Sequence, residues 1–133
     1  MTQLTMSATI DVPYAEAVPR VREALADVGF GVLTEIDVAA TLKTKLDVDV
    51  PPKLILGACR PQLAHEALRV DPRVAVLLPC NVVVSAAGDG SQIDILDPGV
   101  MPEFTGTEAL ADVAGQAREL LAAMLDRLTG EQA

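Results

Sequence analysis

The hydrophobic period switches repeatedly along this chain, and that switching restricts the fold more than any single motif does. Residues 4–12 alternate, with Leu4, Met6, Ala8, Ile10 and Val12 on one side, the period-two pattern of a strand with one packed face. After Pro13 the apolar positions Ala17, Val18, Val21, Ala24, Leu25 and Val28 recur at helical spacing, and Gly29 stands where a helix end wants positive φ. Pro19 falls inside that stretch, so the helix either starts near it or bends in its first turn. Residues 30–36 return to strand character. Asp37 then predicts an N-cap for a helix carrying Val38, Leu42 and Leu46 on one side, ended by Pro51 and Pro52.

The second half continues the alternation. Residues 53–59 predict a short strand, and Pro61, suited to the first helical position, opens a helix to about Val70. Asp71-Pro72 predicts a turn, and the apolar stretch 74–78 is interrupted by Pro79. Residues 80–84 and 92–96, joined through Gly88-Asp89-Gly90, predict a β-hairpin. Asp97-Pro98-Gly99 breaks the sheet, and Thr105 with Glu108 has the spacing of a capping box. A final helix then carries Leu110, Val113, Ala117, Leu120, Met124 and Leu128 on one face, before a polar end at residues 131–133 expected to fray. The order β-α-β-α-β-α-β-β-α predicts an α+β sandwich, a mixed or antiparallel sheet covered by helices. At 133 residues, with no repeat or linker, one domain spanning 1–133 is expected.

Charge and composition narrow the partners. Half of the residues are hydrophobic, enough apolar area to offset the entropy of ordering the chain. The net charge of −9, with no Lys/Arg stripe as a local exception, repels nucleic acid and anionic membranes. No apolar run approaches the roughly 20 residues that span a bilayer, and the first residues lack a signal-peptide pattern, so a cytoplasmic location is expected. A mean hydropathy of +0.35 is high for a small chain. That excess, with the stretch 82–84 as a hazardous sheet edge unless covered, predicts a homodimer.

Few residues carry recognisable chemistry. Gly29-Phe-Gly31 lacks the third glycine of a dinucleotide loop, since position 34 is Thr34, and a helix precedes it where a strand is required. Cys59 and Cys80 are the only cysteines and form no C-x-x-C pair, so they are expected as free thiols. Cys59 falls at a strand-to-helix junction, where the helix start and Arg60 would lower its pKa; the alternative is a small buried hydrophobe. Asn81, in an otherwise apolar run, would need buried hydrogen-bond partners or a ligand. His65, the only histidine, shares a polar helix face with Gln62, Glu66 and Arg69 and is expected to face water, which disfavours Cys-His or Ser-His-Asp sites. If the strands ending at Cys59 and starting at Cys80 are antiparallel neighbours, the more common pairing, the two thiols meet at one end of the sheet; if parallel, they are separated by a strand's length.

The stretches Gly29-Phe-Gly-Val-Leu-Thr-Glu-Ile-Asp37, Ile55-Leu-Gly-Ala-Cys-Arg-Pro61 with Leu63-Ala64-His65, and Leu77-Leu-Pro-Cys-Asn-Val-Val-Val84 resemble domain-of-unknown-function family 302. The resemblance covers almost the whole chain, with Gly-Ala-Cys and Pro-Cys-Asn its most specific parts and Pro19 its departure. It implies a small α+β domain and transfers no activity or catalytic residue. Three functions remain open from the sequence. The first is a non-enzymatic domain holding a small ligand or soft metal ion near the helix that begins at Pro61, with Cys59, Cys80 and Asn81 as candidate ligands and His65 a weaker metal candidate. The second is a thiol enzyme or redox sensor acting through Cys59. The third is a structural oligomerisation module.

Overall fold

Five strands form one sheet in the computed structural model, which describes residues 3–131: β1 (Thr5–Ile10), β2 (Gly31–Asp37), β3 (Lys53–Cys59), β4 (Cys80–Ala87) and β5 (Gly90–Leu96). The helices are α1 (Tyr14–Asp27), α2 (Val38–Leu46), α3 (Pro61–Val70), α4 (Val100–Thr105) and α5 (Ala111–Glu131), with short 3-10 turns at Pro72–Leu77 and Glu108–Leu110. Spatial order is β1-β5-β4-β3-β2, and every neighbouring pair is antiparallel. The α+β order read from the sequence is therefore present, with α4 as an added helix. Because β1 and β2 occupy opposite edges, α1 has to cross the sheet to join them, and it touches β5, β4 and β2 on the way.

Alternation decides which side chains the crossing covers. Ile10, Leu56, Val82, Val84, Ile93 and Ile95 all face the helices and are essentially inaccessible, packed with Val21 and Leu25 of α1 and Leu121, Met124 and Leu128 of α5. Burying each such side chain contributes about 1.5–3 kcal/mol. A second, smaller cluster joins Ala67, Val74, Cys80, Met101, Leu110 and Val113 at one end of the sheet.

Several local expectations change. The 82–84 stretch is not an edge: β4 is paired on both sides, by β3 and β5, and β1 and β2 are the edges. The apolar stretch before Pro79 is a 3-10 turn, and the Leu78 to Pro79 peptide is cis. Helix α1 begins at Tyr14 and carries Pro19 internally. Asp37 does cap α2, accepting from the Ala40 N–H at 2.9 Å, but the helix stops at Asp47 in the left-handed region (φ 55°), ahead of Pro51. Thr105 and Glu108 form no capping box. Thr105 ends α4 and its hydroxyl donates back to the Met101 carbonyl at 2.7 Å, leaving the turn at Gly106 between them. Of the two adjacent leucines on α5, Leu121 is fully buried, while Leu120 is half-buried. Of the polar end, Gln132 and Ala133 lie outside the described residues, and Glu131 still belongs to α5. Among the described residues, no helix is long and apolar enough to cross a membrane.

Candidate functional site

The antiparallel register of β3 and β4 sets Ala58 opposite Cys80 and Gly57 opposite Asn81. Cys59 is therefore one residue further along the neighbouring strand. With opposed residues about 5 Å apart and a rise of about 3.4 Å per residue, the two cysteine Cα atoms are about 6 Å apart. Helix α3 makes this possible by carrying the chain away from Cys59 and back, through the 3-10 turn, to Cys80. Both thiols are free, Cys80 buried and Cys59 half-buried. Both line one cavity of about 30 Å³, enclosed by the ends of β3 and β4, by Leu63 and Ala67 of α3, by Met101 of α4 and by Val113 and Ala117 of α5. That volume is about what one water molecule occupies, so the cavity suits a single atom or ion rather than an organic ligand.

The thiols do not have the electrostatics expected of a nucleophile. Burial raises the pKa of Cys59, where a helix start and Arg60 were expected to lower it. Two details explain the reversal. The first position of α3 is Pro61, which has no N–H, and the N–H groups of Leu63 and Ala64 are engaged by the Arg60 carbonyl. The Arg60 guanidinium donates to the Val28 carbonyl at 2.7 Å, capping the end of α1. It packs across Gly29, whose positive φ of 81° and missing Cβ are both needed there, since a Cβ would collide with the guanidinium. Burial, and secondarily the neighbouring Cys59, push the Cys80 thiol up to about 11.

Other predicted residues fall outside the cavity. Asn81 is exposed, not buried among apolar neighbours, because strand alternation turns it to the face opposite Cys80. His65 is exposed on α3 and does not line the cavity. Among the described residues no three His, Cys, Asp or Glu side chains come together as a metal cluster. Met101, which sequence reading did not single out, does line the cavity. It sits on a helix hidden behind Asp97-Pro98-Gly99, and no local pattern announces it.

The wall bearing Met101 is tied down by a buried carboxylate. Asp71 accepts from the Arg73 side chain at 2.7 Å and the Thr107 hydroxyl at 2.8 Å, while Arg73 also donates to the Thr105 carbonyl at 2.7 Å. These bonds, the Arg73 side chain foremost, hold the Asp71 carboxyl well below the usual carboxylate range and clamp the end of α4 to the turn after α3. A larger open groove of about 750 Å³ runs between β1 and α5, but its buried Asp97 is already bound by Arg118 at 3.1 Å and by the Gly99 N–H at 2.9 Å.

Comparison with known proteins agrees with this architecture. The family model described as "Domain of unknown function DUF302" matches residues 6–128. The chain belongs to the DUF302 family. This DUF302 chain is also similar to a solved structure, the crystal structure of an uncharacterized conserved protein DUF302 from Bacillus stearothermophilus. The two are 30% identical, with a TM-score of 0.88, over 96% of this chain and 99% of that one. No curated protein matches the chain. In this DUF302 domain both Gly-Ala-Cys59 and Pro-Cys80-Asn segments reach the same end of the sheet, and Ala58, Cys59 and Cys80 line the cavity there.

Proposed function

We propose that this DUF302 domain is a non-enzymatic binding module whose site is the two-thiol cavity, and that its guest is a soft, thiophilic ion. The observation that carries the reading is the convergence of Cys59 and Cys80 on one cavity of about 30 Å³. A cavity of that size excludes an organic substrate, and thiols with raised pKa values are poor nucleophiles at neutral pH, since the thiolate is the reactive form. Soft metal ions overcome that proton affinity by displacing the protons themselves. Asn81 and His65 have no part in this reading.

Mercuric ion is a suitable probe. Reduced protein given one equivalent, in the presence of excess monothiol, is expected to retain one ion per chain as added mass in native mass spectrometry. Cys59→Ala and Cys80→Ala should each surrender it to the monothiol, because one sulfur cannot compete where two can. Release by the wild type, or equal retention by either variant, would overturn the proposal.

A second reading, self-association, is favoured by the sheet face that α1 and α5 leave open. Ile36, Ile55 and Val83 stand side by side across β2, β3 and β4 on that face, and Ile36 is 49% exposed. Leu46 at the end of α2, with Val48 and Val50 after it, adds exposed apolar surface. This is the patch a second copy would cover.

A further inference from the structure

We infer that the ion taken by this cavity is copper(I), held by three sulfurs: the Cys59 and Cys80 thiolates and the Met101 thioether. The inference rests on the soft-ion reading above and names the ion and its third ligand. Met101 is only 5% exposed, packs in the same small cluster as Cys80, and lines the cavity that both thiols line. No carboxylate or imidazole is among the lining side chains, which apart from Arg60 are aliphatic, aromatic or sulfur-bearing. Zinc ordinarily takes four ligands drawn from thiolate, imidazole and carboxylate, and this cavity offers only two thiolates. Thiolate with thioether is the donor set that selects copper(I).

Charge and protons balance without any change of oxidation state. Copper(I) displaces one proton from each thiol, two sulfur–copper bonds form, and the neutral thioether adds a third. The complex carries a net charge of −1. The third sulfur is also held in place. Its helix is clamped through Thr105 and Thr107 to Arg73 and Asp71, so Met101 is presented by a tethered wall.

The test uses the full chain, reduced and free of metal, titrated without oxygen against a chromogenic copper(I) chelator. The wild type is expected to withdraw one copper(I) per chain, and Met101→Leu, a swap of similar volume that cores tolerate, to bind about tenfold more weakly or worse. X-ray absorption at the copper edge should find three sulfur neighbours in the wild type and two in the variant. Wild-type affinity in Met101→Leu, or nitrogen or oxygen neighbours in the wild-type complex, would overturn the three-sulfur site. If the chelator keeps its copper while mercuric ion is still retained through both cysteines, copper(I) is the wrong ion and the two-thiol reading stands. If mercuric ion is released as well, both fall.

Discussion

Cys80 shows how one position can be half legible. Its nearness to Cys59 follows from the order strand, helix, strand once antiparallel pairing is assumed, and the register of Ala58 with Cys80 bears that out. The acidity of the thiols did not follow, because it depends on which groups face them: Arg60 turns to the Val28 carbonyl, and burial is left to dominate. Period-two alternation alone separates the exposed Asn81 from the buried Cys80, Val82 and Val84. The raised thiol at Cys80 has a measurable consequence. A group whose folded pKa exceeds its unfolded value keeps its proton in the folded state while the unfolded chain loses it, so the fold weakens as pH rises through the interval between the two. For Cys80 that interval runs from an ordinary value of 9.0 to about 11, and the loss amounts to about 2–3 kcal/mol. Melting temperatures followed from pH 8 to about 11.5 should fall more steeply for the wild type than for Cys80→Ala. Parallel curves would show that the thiol is not held neutral by the fold.

At the scale of elements, α5 shows where periodicity stops being decisive. Residues three and four beyond Ala117 are both leucines, and a period of 3.6 allows either to continue the apolar stripe. Packing chooses Leu121, which is fully buried against the core, and leaves Leu120 half-exposed. Leu121→Ala should therefore destabilise the fold by about 2–5 kcal/mol, the range for emptying a buried leucine site, and Leu120→Ala by clearly less. Urea denaturation of the two variants tests the order, and equal midpoints would mean the helix is rotated from the position described. The ends of α2 and α4 teach a related lesson. A left-handed Asp47 and the Thr105-Gly106 turn end those helices, whereas the sequence signals pointed to Pro51 and to a capping box; caps depend on the path of the chain beyond the helix.

Over the whole molecule, the open sheet face is the feature with the largest untested consequence. Light scattering at micromolar concentration should return twice the chain mass of 13.9 kDa, and Ile36→Lys, at an exposed position on edge strand β2, should halve it. A wild-type mass equal to one chain would remove the self-association reading. Membership of an α+β family, the five strands and four of the five helices could be read from the sequence, because period, prolines, glycines and the Asp37 cap are local signals that each segment carries by itself. So could the meeting of the cysteines, given a choice of strand direction. Tertiary structure alone decided that β4 is central and β1 an edge, since strand order depends on α1 crossing the sheet. It alone also decided that Arg60 leaves the thiols and that Met101 joins them. Those outcomes depend on contacts between distant segments, where packing and hydrogen bonding, not local preference, select which side chains come together.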